Sequence, residues 1–319
     1  MPAALCTLSH SPLIGFNNPA PETEARVQAA FDHAKKFVED FDPELVVLFA
    51  PDHYNGFFYD MMPPFCVGTN ATALGDYDTL AGPLSVTPIA RQIVADVLDA
   101  GIDIAVSEHM YVDHGFAQPL QFLFGSLQAV PSLPVFINSV AVPLGPASRA
   151  RKLGSAIGQA TAALDKRVLF VGSGGLSHDP PVPKLEGASP EVAQRLIAGR
   201  HPTPEERAAR QARVIQSGLD LAAGISTMRA LNPEWDNAFL DILAAGDLTQ
   251  IDTWSNEWFV EQGGDSAHEV RTWIAAYAAL AARNRYSMNY RFYEEIKEWI
   301  AGFSITTAVE IPVQKPVQA

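Results

Sequence analysis

The sequence predicts an α/β fold: a mostly parallel or mixed central sheet with helices on both faces, and a helix-rich C-terminal third. Three observations lead there. Short runs rich in β-branched and aromatic residues alternate with helically spaced segments up to about residue 190. The runs are continuously apolar rather than alternating, which suits strands covered on both faces. Beyond residue 190 the pattern reads as helix, with no convincing strand.

Taken in order, the strands are 3–9 (AALCTLS), 44–50 (ELVVLFA), 102–107 (IDIAVS), 133–140 (LPVFINSV) and 167–173 (RVLFVGS). Residues 57–68 supply a further strand or edge hairpin, although their prolines weaken it. Between the strands, 21–41, 87–101 and 145–165 have helical spacing, each with Pro or Thr near its start, and Gly101 follows the second. Later helices fall at 203–224, 233–246 and 266–284. No Ser/Gly linker separates them from the sheet. The expected organisation is one catalytic α/β domain over 1–303, with 190–285 mainly helical and packed on the sheet, and a C-terminal tail over 304–319.

At 319 residues, 48% hydrophobic and 18% charged, the chain has the composition of a globular protein with a sizeable core. Its net charge of −14 argues against nucleic acid or an anionic membrane as partner, since both call for a basic face. A small anionic substrate remains compatible, because a local Arg or Lys outweighs a distant global charge. Two cysteines, Cys6 and Cys66, fit a reduced cytoplasmic protein better than a disulfide scaffold. The first residues lack a secretory signal, and no apolar run reaches the ~18–20 residues of a membrane span.

Four of the eight histidines share one kind of position. His10, His53, His114 and His178 each lie within a few residues of the C-terminal end of a predicted strand, the edge where α/β sheets bind ligands. Any one of them alone reads equally well as structural; the set reads as a metal or acid–base site. His33, His109, His201 and His268 lie elsewhere, in a helix, in a polar loop or beside acidic residues. No G-x-S-x-G elbow, H-E-x-x-H helix or cysteine-rich zinc site is present. The prolines at 180, 181 and 183 argue against a phosphate-binding helix after Gly172, Gly174 and Gly175. Those glycines suit a tight turn and close backbone approach.

The segments LSHSPL (8–13), LFAPDHYNGFFYDMMPPFC (48–66), VDHGFAQPL (112–120), PVFINSV (134–140), VLFVGSGGLSHDPPVP (168–183) and EWIAGF (298–303) resemble the class III extradiol ring-cleavage dioxygenases. The likeness spans about residues 5–303 and is thinnest over 185–265. It implies a non-haem Fe(II) enzyme that opens a catechol ring with O2, its iron held by two histidines and a glutamate with one face open. On this chain the histidine ligands fall on His10 and His53. The implied base toward a substrate hydroxyl is His178, and the implied acid for ring opening is His114. Asp113 reads either as a partner of His114 or as a solvated turn residue, and Tyr54, Asn55 and Pro180 are adjacent candidates for the pocket wall. The third ligand falls on Glu269, with His268 and Glu257 as neighbouring options. Ser266-x-x-Glu269 also reads as a capping box. The implied substrates are 3-(2,3-dihydroxyphenyl)propionate and its cinnamate analogue, the alternatives being another substituted catechol or a non-catalytic metal- or partner-binding relative; no Arg or Lys stands out for the substrate carboxylate. A homo-oligomer is implied as well.

Overall fold

The structure, a computed structural model, describes residues 1–311. Strand β1 (Ala3–Leu8) leads to helix α1 (Pro21–Phe41), where Pro21 sits in the first turn and its missing N–H costs nothing. Strands β2 (Leu45–Ala50), β3 (Phe65–Gly68), β4 (Ala71–Leu74) and β5 (Ala81–Pro83) follow. Helix α2 (Ala90–Asp99), strands β6 (Ala105–Ser107) and β7 (Met110–Val112) and helix α3 (His114–Phe124) come next. Strand β8 (Ser132–Ile137), helix α4 (Ala147–Ala162) and strand β9 (Val168–Ser173) complete the first part. The chain then runs through helices α5 (Pro190–Ala198), α6 (Pro204–Ala222), α7 (Pro233–Ala245), α8 (Asn256–Gly263) and α9 (Val270–Arg283). It closes on β10 (Tyr286–Ile296) and β11 (Ala301–Glu310).

Eight strands form one mixed sheet in the order β10-β11-β1-β9-β2-β8-β3-β6, and β5, β4 and β7 form a second, small sheet. The inner strands β1, β9, β2 and β8 are mutually parallel, so their C-terminal ends open on one edge. Successive residues of these strands divide between two cores, the period-two geometry of a pleated strand. Leu5, Val47, Phe49 and Phe170 pack on the side of α2, α4 and α9. Ala4, Cys6, Leu48 and Val171 pack on the side of α1 and α3. Burial on both faces is why the runs are apolar throughout. Helix α9 lies close against α4: a Cβ at Gly154 would stand 2.0 Å from the Ala275 carbonyl oxygen, and one at Gly158 2.2 Å from that of Ala279. Glycine at those two positions seats α9, and Glu269 immediately precedes that helix.

The C-terminal segment departs from the sequence reading. Residues 286–310, read as free of strands and as a tail beyond 303, form β10 and β11, and β11 sits between β10 and β1 inside the sheet. Ser304, Thr306 and Thr307 hide the strand by breaking its apolar run, yet all three are buried. Their hydroxyls are satisfied internally, Thr306 Oγ1 lying 2.6 Å from Thr7 Oγ1 and 2.7 Å from the Tyr277 hydroxyl. Residues 102–107 yield only the short edge strand β6. His114 follows β7 of the small sheet instead, as the first residue of α3.

Candidate active site

The loops after β1, β2 and β9 deliver His10, His53 and His178 to one place, and the turn before α9 delivers Glu269. Nε2 of His53 and of His178 each lie 3.1 Å from Glu269 Oε1, and His10 Nε2 lies 3.4 Å from Oε2. The backbone N–H of Gly175 donates to Oε2 at 3.0 Å. A Cβ at Gly174 would stand 2.7 Å from the Glu269 carbonyl oxygen. The glycines after β9 therefore serve close backbone approach, and what approaches is the carboxylate-bearing turn. Glu269 is 1% exposed. Burial alone would raise its pKa, but His178 above all, with the other imidazoles, holds the carboxyl well below its usual range.

Each imidazole is oriented through its other nitrogen. The Ser173 hydroxyl donates to the Gly115 carbonyl at 2.6 Å, so its oxygen accepts from His10 Nδ1 at 2.9 Å. That fixes the His10 tautomer with an unprotonated Nε2. Burial pushes the His10 pKa down to about 3, keeping the ring neutral. A lone pair thus faces a carboxylate oxygen, two acceptors opposed in a buried site. His53 Nδ1 lies 2.9 Å from Asp113 Oδ2, which also accepts from the His53 N–H at 2.8 Å and from Asn55 Nδ2 at 3.0 Å. Burial opposes the charged form of His53, yet Asp113 and Glu269 outweigh it and hold its pKa well above the ordinary value. His178 Nδ1 lies 2.9 Å from the Leu176 carbonyl, and its own N–H donates to the Gly263 carbonyl at 2.8 Å. Burial again opposes the charge, and Glu269 again reverses the balance, raising His178.

Of the two readings of Asp113, neither describes its place. It is buried, caps α3 by accepting from the Gly115 N–H at 3.0 Å, and holds His53 rather than His114. His114 is held by Asp76, whose Oδ2 lies 2.5 Å from Nδ1. The His114 ring stacks on His53 at a centroid distance of 4.5 Å and meets His10 edge-on at 5.3 Å. Glu269 forms no capping box: the turn before α9 is a 3-10 helix, Asp265–Glu269, without a side-chain cap. His268 turns away, accepting from Arg271 at 3.3 Å and packing on Phe259, and Glu257 is exposed at the start of α8.

The family described as the catalytic LigB subunit of aromatic ring-opening dioxygenase matches residues 4–304. The chain belongs to this family. It is an extradiol ring-cleaving dioxygenase of a metal-dependent group. Its relatives include proteins of Rhodococcus sp (64% identical), Rhodococcus jostii strain RHA1 (61%) and Mycolicibacterium smegmatis (54%). Each alignment covers 97–98% of this chain and 99% of the relative. All three carry the name 2,3-dihydroxyphenylpropionate/2,3-dihydroxicinnamic acid 1,2-dioxygenase. The crystal structure of an uncharacterized protein of Escherichia coli K12 shares the fold, with a TM-score of 0.50 at 16% identity over 96% of this chain and 99% of that one.

In this LigB-family dioxygenase the four histidines and Glu269 open onto a cavity of about 400 Å³. Tyr54, Asn55 and Pro180 line it, as do Tyr77 and Trp299. No helix among the described residues is long and apolar enough to cross a membrane. The sequence reading missed three supports. Asp76 carries no motif and reaches His114 from a distant loop; Ser173 reads as the end of an apolar strand. The third is Asp236 on α7, buried and accepting from the Ser177 N–H and hydroxyl at 2.7 Å each and from the Tyr293 hydroxyl at 2.8 Å. Asp236 anchors the turn that presents His178. Its N-terminal position on α7, three residues after Pro233, was the sole sequence signal.

Proposed function

We propose that the enzyme cleaves 3-(2,3-dihydroxyphenyl)propionate, and its 2,3-dihydroxycinnamate analogue, with ferrous iron held by His10, His53 and Glu269, His178 as base and His114 as acid. The observation that carries this reading is the convergence of imidazole nitrogens on one buried carboxylate. The donor set fits such an ion. Two imidazoles and a carboxylate suit Fe(II), and a cation resolves the opposition between the His10 lone pair and Glu269. The Nδ1 partners Ser173 and Asp113 are the outer hydrogen bonds that orient ligating histidines. The relatives' shared name supports the substrate.

Bound there, Fe(II) supplies the redox chemistry by which a catecholate reacts with O2. The protein's own groups handle the protons. His178 directs Nδ1–H at the Leu176 carbonyl, so Nε2, which faces Glu269 Oε1, is the nitrogen that takes the proton of a catechol hydroxyl. The imidazolium so formed is stabilised by Glu269 Oε1 at 3.1 Å. His114, with Nδ1 held by Asp76, donates from Nε2 as the ring opens, and the Asp76 carboxylate stabilises its protonated form. Acid and base steps of this kind contribute roughly 10²–10⁴ each in rate. Pro180, Pro181, Val182 and Leu196 supply an apolar part of the cavity wall. Both oxygen atoms enter the product, a 2-hydroxy-6-oxo-nona-2,4-dienedioate-type acid.

Anaerobic loading with Fe(II), followed by the dihydroxyphenylpropionate and air, tests the reading. A yellow product heavier than the substrate by both atoms of O2 is expected. Unchanged turnover after exhaustive chelation, with no iron left by metal analysis, would overturn it.

A further inference from the structure

The wall of the active-site cavity contributed by α5 and α6 carries Arg195, Arg207 and Arg210. In a chain of net charge −14 this is a concentrated basic patch. All three are half-buried, and none forms an ion pair among the described residues. The carboxylates lining the cavity are Asp76 and Glu269, and both are committed to histidines. Glu206, the acid nearest along α6, is turned back to accept from the Thr203 N–H at 2.8 Å in a capping box. Arg207 reaches the Leu74 carbonyl at 3.3 Å and braces the segment that bears Asp76. Arg195 and Arg210 have no such tether beyond a 3.3 Å contact from Arg210 Nε to its own helix at the Glu206 carbonyl.

Burial lowers the Arg210 pKa, and the nearby charges of Arg195 and Arg207 add to this against the opposing charge of Glu206, which is held in its capping box. Arginines crowded against one another without an ion pair are stabilised by an anion. Tyr77 gives the patch its bearing on the reacting centre. Its ring meets His114 edge-on at 5.3 Å, and its hydroxyl feels the Arg210 charge. Arg210 therefore lies on the Tyr77 side of the cavity that His114 also lines, within reach of a substrate side chain that extends away from His178 and Glu269. We propose that the side-chain carboxylate of the substrate docks between Arg195 and Arg210, which select acid-bearing catechols over neutral ones. This rests on the substrate reading above. A planar guanidinium pairs with carboxylate in a two-pronged geometry that a lysine does not reproduce.

The test is a selectivity ratio measured with iron-loaded enzyme. It divides kcat/KM for 3-(2,3-dihydroxyphenyl)propionate by kcat/KM for the same catechol with a propyl chain in place of the propionate. Because both rates come from one sample, misfolded protein cancels. Arg210→Gln should lower the ratio about 10- to 100-fold, as loss of a charged hydrogen-bond partner does, through KM rather than kcat. Adding Arg195→Gln should lower it further, and Arg210→Lys should restore part of it. A wild-type preference for the acid that survives in the double variant overturns the subsite alone. A wild-type enzyme that cleaves both catechols equally overturns the substrate reading, and the subsite with it.

Discussion

Replacing Asp76 by asparagine separates the support of the acid from the acid itself. The substitution keeps the size of a side chain that is 3% exposed and removes the charge lying 2.5 Å from His114 Nδ1. A hydrogen bond to an ionised group contributes about 1.5–3 kcal/mol, which is roughly 10- to 150-fold. Turnover of the iron-loaded enzyme should fall by that factor, because the imidazolium that donates the proton loses its neighbouring anion. Stability should change less. Asp76 Oδ1 is buried without a hydrogen-bond partner, so asparagine also removes a half-satisfied charge whose burial costs several kcal/mol. Iron content should match wild type, since the Asp76 side chain bonds His114 and none of His10, His53 or Glu269. Steady-state kcat, metal analysis and a thermal melt read the three quantities. An asparagine variant with wild-type kcat, or one that loses its iron, would refute the reasoning.

His114→Ala and His178→Ala should each retain iron and lose about 10²–10⁴ in turnover, whereas His10→Ala or His53→Ala should lose iron. The opposite pattern in metal analysis would exchange the ligand and proton-transfer roles. Glu269→Gln keeps an acceptor for the Gly175 N–H but removes the anion, so iron affinity should fall by more than the ~10–100-fold typical of losing an outer partner. An active, iron-replete Gln variant would move the ligand elsewhere. Asp236→Ala leaves the Ser177 N–H, the Ser177 hydroxyl and the Tyr293 hydroxyl without their buried acceptor. It should cost about 3 kcal/mol in denaturant unfolding and lower kcat as the His178 turn relaxes. An unchanged midpoint and rate would contradict that.

His10, His53 and His178 were legible because each follows a strand whose apolar run is unbroken, and parallel strands bring such loops together. The partners of these histidines were not legible, because hydrogen bonds across the fold leave no local pattern. Asp113 stands next to His114 in the chain but serves His53, since as the N-cap of α3 its carboxylate points toward the loop after β2. Asp76 serves His114 from a turn between strands of the small sheet. Ser266 and Glu269 have capping-box spacing, yet the turn there is too tight for one, and the carboxylate points into the cluster instead. Strands β10 and β11 escaped for a related reason. Their buried serine and threonines are paired across strands, a satisfaction that sequence polarity alone conceals. No Arg of α5 or α6 stands out in the sequence, because only the fold brings Arg195, Arg207 and Arg210 to the cavity wall.

Anomalous scattering at the iron edge, from crystals loaded with Fe(II) without oxygen, tests the central claim most directly. The account predicts one strong peak bounded by His10 Nε2, His53 Nε2 and the Glu269 carboxylate, with His114 and His178 facing it from outside the ligand set. The same structure contains a second buried group of donors, Asp76, Asp113 and His114. Iron found there, with Glu269 still spanning metal-free histidines, would contradict the account.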